Sequence, residues 1–596
     1  MVLAPRPEDL DFILHDMLRV EELAEYPRFE EHGRETFEAV LETARRIAED
    51  KFQPHNRAAD LSEPKLVDGK VEIIPEIGQA IEAFNQAGFS AAHHDEALGG
   101  MQLPWTVVQA AFVHFQAANL STAAYPFLSI AAANLIRAQG TDAQKARYLG
   151  PLLKGRYFGT MVLSEPHAGS SLSDVRTTAK PDGNQGYRLT GSKMWISGGE
   201  HEMAENILHL VLARIEGAPA GVKGLSLFLV PRIREDGALN DVRLVGLNHK
   251  MGYRGTVNTA LAFGDGGDCH GELIGEANEG LAYMFGMMNE ARIGVGLGAI
   301  MLAYQGYLTS LDYARERPQG RHPGEKDPDA PQVMLIGHAD IRRMLLKQKA
   351  VAEGGLALGL WLARLVDRHG QDPSERERIE AGLLLDIVTP IIKAFFSDQA
   401  LAANDAAIQI MGGAGYTRDH PVEQYWRDNR LNPIHEGANG IQAIDLLGRK
   451  ATMRDGAAFG LLVREIEAET VTARQAPMLE DLSDQLSSAL NRVRHVTSVL
   501  TSAQLGPMKM LANASEYMEM MGHLVLAWIW LRQASAAVEG LRGEDGGHVG
   551  DREDFLKGKL HTCRYVFARE LPKISPLADT LEHFDMTTFD MDTEWF

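Results

Sequence analysis

The 596-residue sequence predicts an α+β chain whose helical and strand-forming parts are segregated along its length. Three observations carry this reading. Apolar residues recur at spacings of three and four over most of the chain. Short β-rich runs punctuated by Gly and Asp replace that pattern between about residues 158 and 268. The runs also follow one another without the dozen or more helical residues that parallel βαβ units need. The expected blocks are a helical N-terminal extension (1–35), an all-α unit (36–157), a small antiparallel β unit (158–278), a second all-α unit (279–454) and an extra all-α unit (455–596).

The extension carries a short helical pattern at Leu10, Ile13, Leu14, Met17 and Leu18. Helices are expected next over 36–52, 107–118 and 127–138, with breakers at Leu98-Gly99-Gly100 and Ala124-Tyr125-Pro126. The β block reads as strands over 159–163, 187–189, 193–196, 207–213, 225–230 and 259–263. Helices return over 280–314, 330–358, 379–396, 401–411 and 439–450, and the last block adds helices such as 479–500 and 508–531. Gly294-Val295-Gly296-Leu297-Gly298-Ala299 matches a dinucleotide-binding pattern, but no strand precedes it. Small residues that let two helices approach explain it better.

With 45% hydrophobic and 23% charged residues, the chain can bury enough apolar surface to order itself. Lys and Arg number 59 against 81 Asp and Glu, and the resulting charge of −22 disfavours nucleic acid as a main partner. Two cysteines, Cys269 and Cys563, supply neither a disulfide framework nor a thiolate metal site. The N-terminus shows no apolar signal region, and the stretch 520–531 is short of the ~20 residues that span a bilayer. The Met and Trp stripe over 518–531 reads as bundle core rather than a membrane face. These features point to a cytoplasmic protein without a transmembrane segment.

Four segments carry chemistry. Leu163-Ser164-Glu165-Pro166-His167-Ala168-Gly169-Ser170 ends a strand in hydroxyls and a turn whose N–H groups can bind carbonyls or phosphates. Gly191-Ser192-Lys193-Met194-Trp195-Ile196-Ser197 sets an indole beside a hydroxyl. Gln409-Ile410-Met411-Gly412-Gly413-Ala414-Gly415-Tyr416 reads as a helix end with a glycine loop. Ile434-His435-Glu436-Gly437-Ala438-Asn439-Gly440-Ile441-Gln442 puts a carboxylate just ahead of a helix.

In this order, and with Lys250-Met251-Gly252 and Glu316-Arg317-Pro318-Gln319-Gly320-Arg321, the segments resemble the acyl-CoA dehydrogenase family over about residues 36–450. The extension and extra helical unit look like the long bacterial branch that includes fatty acyl-CoA and methylthiopropanoyl-CoA dehydrogenases. The resemblance implies an N-terminal helical bundle, a small antiparallel β-domain, a C-terminal four-helix bundle and an additional C-terminal helical domain. It also implies FAD held between the β-domain and the four-helix bundle of a homodimer.

Such an enzyme converts a saturated acyl-CoA to the trans-2-enoyl-CoA and passes electrons to an electron-transferring flavoprotein. By resemblance Glu436 is the base for the α-proton. Leu163, Ser164, Ser170, Trp195, Ser197 and Asn439 contact FAD, as do Arg317, Gln409, Gly412 and Gly413, the last four across the subunit interface. Ser170, Asn289, Arg292 and Gly437 contact substrate. Some relatives carry the base immediately before the Arg292 position. Here Ala291 stands there, and Glu290 is about 100° further round the helix, so it is expected to point elsewhere.

The sequence departs from the family at Ser171, where Asp is usual, and at Asn289, where an acidic residue is usual. Ala438 replaces the frequent Thr, and His435 the frequent Tyr. Abundance alone favours a medium- or long-chain fatty acyl substrate. A methylthiopropanoyl-CoA substrate is the alternative, and a DNA-associated alkylation-response flavoprotein a more distant one.

Overall fold

The computed structural model describes residues 3–183, 186–502, 505–542 and 552–596, with the backbone alone at 286–288. The chain divides into two compact units: Glu35–Ala291, and Met1–Arg34 together with Arg292–Phe596.

In the first unit Trp105–Ala118 is buried along its whole length, and Leu120–Gln139 follows it. The Asn119 carboxamide oxygen caps the second helix, accepting from the Thr122 N–H at 3.1 Å. The break expected at Pro126 is absent. The Tyr125 hydroxyl donates to Gly255 O at 3.2 Å and accepts from Val257 N at 2.9 Å, so tertiary contacts hold the backbone helical through the proline. Helix Asp142–Leu153 opens on a capping box formed by Thr141 and Gln144.

Lys65–Val67 (β1) and Lys70–Glu72 (β2) form a small hairpin. The main sheet holds Tyr157–Val162 (β3), Thr178–Asp182 (β4), Gly186–Ser197 (β5), Asn206–Ile215 (β6), Leu225–Pro231 (β7), Val242–Leu247 (β8), Asn258–Phe263 (β9) and His270–Ile274 (β10). Pairings β5–β4–β6–β7–β10–β5 close a ring, and β9 then β8 extend from β5. Most pairs are antiparallel. The sheet is nevertheless mixed, because β3 and β4 pair parallel to consecutive stretches of the same edge of β6.

The strands expected over 187–189 and 193–196 are one strand, since Gly191–Lys193 stay paired to β9. β4, β8 and β10 carry no clear alternation (β4 even contains Pro181) and owe their conformation to their neighbours.

In the second unit the expected helices 379–396 and 401–411 are one helix, Glu375–Met411, packed along Ala339–Gln371. The tempting Gly294–Ala299 motif lies inside helix Gly280–Glu316. A Cβ on Gly296 would come within 2.7 Å of the Ile392 carbonyl oxygen, so close helix approach explains the small residue. Trp528 and Trp530 on Ala514–Arg542 are fully buried. Trp528 meets Trp361 edge-on at 4.9 Å, and Trp530 Nε1 donates to Ala350 O at 2.8 Å. The stripe is therefore core. Among the described residues, no helix is long and apolar enough to cross a membrane.

Candidate active site

Each unit carries one set of the expected residues. In the first unit the two motifs around Glu165 and Trp195 are tied together by a buried ion pair. Lys193 Nζ lies 3.1 Å from Glu165 Oε1 and donates to Leu163 O and Leu212 O, both at 2.8 Å. Glu165 also accepts from the N–H groups of Arg176 (2.8 Å) and Thr177 (2.9 Å) and from the Thr177 hydroxyl. Burial raises the Glu165 pKa, but Lys193 and these donors more than offset it, so the carboxyl sits below its ordinary value. Burial pushes Lys193 down to about 8.

The pair anchors the Ser164 end of β3 to β5, where Met194 N–H also donates to Ser164 O at 3.0 Å. The β5–β9 register slips between Lys193 and Ile196, and Trp195 has φ +65°. This bulge turns the indole off the sheet and leaves it 60% exposed, which is unusual for so large an apolar side chain. Ser197 Oγ, two residues on, accepts from Asn258 Nδ2 at 3.1 Å. Leu163 and Ser164 are half-buried and Ser170 is exposed.

The first unit also holds a half-open cavity of about 50 Å³ whose lining includes Phe84, Phe89, Trp105, Phe112 and Phe127. Glu290 and Ala291 also line it, and Asn134 Nδ2 donates to Glu290 Oε2 at 3.1 Å. Asn289, half-buried, lies on the same helix one turn before Arg292.

In the second unit Glu436 and Gly437 occupy consecutive left-handed conformations, φ +53° and +89°, just ahead of helix Asn439–Asp445. A Cβ on Gly437 would lie 2.5 Å from Gln442 Nε2, the group that donates to Glu436 O at 3.1 Å, and 4.0 Å from an Arg292 terminal nitrogen. Lys393, fully buried on Glu375–Met411, donates to Gly437 O at 2.6 Å and to Asn439 Oδ1 at 3.1 Å. The Asn439 amide in turn donates to Ala394 O and Ser397 Oγ, both at 3.1 Å.

Burial raises the Glu436 pKa above the ordinary carboxylate value, and Arg292 and Lys393 oppose the shift without cancelling it. Burial lowers Arg292. It also pushes His435 down to about 3, with Lys393 adding to the effect, so His435 is neutral at pH 7. Further along the unit Arg317, Gln409, Gly412 and Gly413 are exposed. A Cβ on either glycine would meet nothing within 4 Å.

These features fit a bound flavin dinucleotide: an exposed indole face for a planar ring, hydroxyls beside it, and an open glycine loop and a free-standing guanidinium for phosphate. Sequence reasoning did not single out Lys393, Gln442 or the Glu165–Lys193 pair. The available signal for Lys393 was one lysine inside the apolar run Ile391–Phe396.

Comparison with known proteins agrees along the whole chain. Residues 34–156, 160–265 and 278–452 match the N-terminal, middle and C-terminal domains of acyl-CoA dehydrogenase, and 462–592 the acetyl-CoA dehydrogenase C-terminal-like domain. The chain is 34% identical to 3-methylmercaptopropionyl-CoA dehydrogenase of Ruegeria pomeroyi, over 93% of this chain and 94% of the relative. It is 32% identical to the broad-specificity linear acyl-CoA dehydrogenase FadE5 of Mycobacterium tuberculosis, over 99% and 98%. A chain from the structure of the electron transferring flavoprotein of Acidaminococcus fermentans superposes with TM-score 0.58 at 26% identity, over 71% of this chain and 99% of that one. Caenorhabditis elegans ACDH-11 in complex with C11-CoA shares the fold (TM-score 0.74, 19% identity, 99% and 95% coverage). With its domain order, motifs and full-length relatives in agreement, the chain belongs to the acyl-CoA dehydrogenase family and is an FAD-dependent acyl-CoA oxidoreductase.

Proposed function

We propose that Glu436 removes the α-proton of a saturated acyl-CoA, giving the trans-2-enoyl-CoA. The observation that carries this is a half-buried carboxylate of raised pKa, held in a left-handed turn beside Arg292. FAD, when bound, supplies the two-electron oxidant that accepts the β-hydrogen as hydride. The chain does the rest. Glu436 takes the proton, and its elevated pKa brings it closer to the acidity of the activated α-carbon. Arg292 and Lys393 favour its ionised form. Trp195, Leu163, Ser164, Ser170, Ser197 and Asn439 hold the cofactor in its own subunit. Arg317, Gln409, Gly412 and Gly413 reach that of a second copy, in a homodimer. Ser170, Asn289, Arg292 and Gly437 contact the substrate.

The proposed substrate is a linear saturated acyl-CoA, medium- or long-chain by abundance, with methylthiopropanoyl-CoA as the alternative. The relatives act on 3-methylmercaptopropionyl-CoA and on linear acyl-CoAs, and this range is compatible with that reading. An electron-transferring flavoprotein is the proposed acceptor, supported by the Acidaminococcus neighbour. Two buried free cysteines agree with a cytoplasmic setting.

The test is anaerobic mixing of purified enzyme with a chain-length series of acyl-CoAs. At least one chain length should bleach the flavin, and the fastest identifies the substrate class. Oxidised flavin persisting with every chain length refutes the dehydrogenation; fastest bleaching with the methylthiopropanoyl thioester favours the alternative substrate.

A further inference from the structure

Lys393 stands out among the buried charges of the second unit because of what it holds. Its ammonium binds the carbonyl of Gly437, the second of two adjacent residues in the left-handed region, and the Asn439 side chain that opens the next helix. Glu436 is an ordinary L-residue at φ +53°, a conformation disfavoured by about 1 kcal/mol or more unless its surroundings impose it. Two hydrogen bonds impose it here: Gln442 Nε2 on the carbonyl before the Gly437 turn, and Lys393 Nζ on the carbonyl after it. Lys393 is therefore a clamp on the backbone that aims Glu436.

The same ammonium is a cation in the field of that carboxylate. The charged and titratable groups acting on it are Glu436 and Asp398, which favour its charged form, and Arg292, which disfavours it. Those acting on Glu436 are Arg292 and Lys393, and His435 is neutral. Burial of an aliphatic stem and ammonium with no carboxylate in direct contact is costly, so a purely structural role would be better served by an apolar residue.

We propose that Lys393 is a positioning residue for the dehydrogenation. It holds the Glu436–Gly437 turn through the Gly437 carbonyl and keeps the carboxylate of Glu436 ionised by its charge. The inference rests on Glu436 as the base. Desolvation brings Lys393 to about 8, so its charge is present at neutral pH and lost on the alkaline side.

The experiment compares wild type, Lys393→Met, Lys393→Arg and Glu436→Gln as FAD-loaded enzyme. Two readouts are used: the pH dependence of the anaerobic bleaching rate, and an infrared titration of the buried carboxyl band, with Glu436→Gln as its blank. In Lys393→Met the carboxyl midpoint should rise by about one pH unit or more, as expected for loss of a nearby opposite charge. Bleaching at pH 7 should fall at least about tenfold. In Lys393→Arg, which keeps the cation, the carboxyl midpoint should stay within a few tenths of wild type.

An unchanged carboxyl midpoint and wild-type bleaching profile in Lys393→Met overturn the proposal. Should that variant not fold, a carboxyl midpoint in Lys393→Arg raised by about one pH unit or more despite the retained cation overturns it. Failure of the underlying reading looks different: wild type fails to bleach, or Glu436→Gln bleaches normally, whatever Lys393 does.

Discussion

At the scale of single residues, the site trades stability for chemistry at Glu436. Its folded-state pKa is raised, so its stabilising contribution is complete below the ordinary carboxylate value and is lost as pH rises through the raised one. Ionising this carboxylate therefore costs stability. Glu436→Gln should keep FAD, lose bleaching by about 10³-fold or more, and melt at a higher temperature than wild type at pH 7 but not at pH 4. Equal melting temperatures at pH 7 would show that the carboxylate is not strained by burial. In wild type the bleaching rate should fall as pH drops through the raised carboxyl value. Gly437→Ala adds a Cβ at φ +89° and 2.5 Å from Gln442 Nε2, and should cost about 1–3 kcal/mol in denaturant unfolding together with most of the turnover.

Among elements, the bulged strand β5 explains how two distant motifs become one surface. Lys193 faces inward to Glu165 while Trp195, two residues on, faces outward, because the bulge breaks the alternation between them. Lys193→Met leaves a buried Glu165 without its cation and should cost about 3–5 kcal/mol, read from the shift in thermal or urea midpoint. The double variant Lys193→Met with Glu165→Gln should recover part of that loss. FAD retention should follow the same order, since the pair holds both the Ser164 end of β3 and the Trp195 bulge.

Across the second unit, a buried ionic cluster fastens the N-terminal extension to the helices that follow. Lys559 contacts Asp9 and reaches Glu353 at 2.8 Å and Gln533 at 2.9 Å, while the Tyr304 hydroxyl donates to Asp9 at 2.8 Å. The ammonium also lies 5.1 Å from the centre of the Phe12 ring and 5.5 Å from that of Trp530. Lys559→Met leaves the buried Asp9 without its cation, while Glu353 keeps Lys349, and should lower stability by about 3–5 kcal/mol in urea unfolding, with residues near Asp9 becoming the first cleaved by protease.

The order of helical and strand blocks and the four motifs are legible in the sequence, because apolar periodicity and motif order are local properties; Glu436 as the proposed base comes from the resemblance those motifs carry. The Gly294–Ala299 pattern could also be set aside there, for want of a preceding strand. Tertiary structure decided the rest. Pro126 sits within an unbroken helix, and β4, β8 and β10 are strands, because neighbouring elements supply the hydrogen bonds and burial that local propensity withholds. Lys393 and the Glu165–Lys193 pair act through side chains brought together from separate segments. A lysine's place in a sequence says nothing of which carbonyl its ammonium will reach once the chain has folded around it.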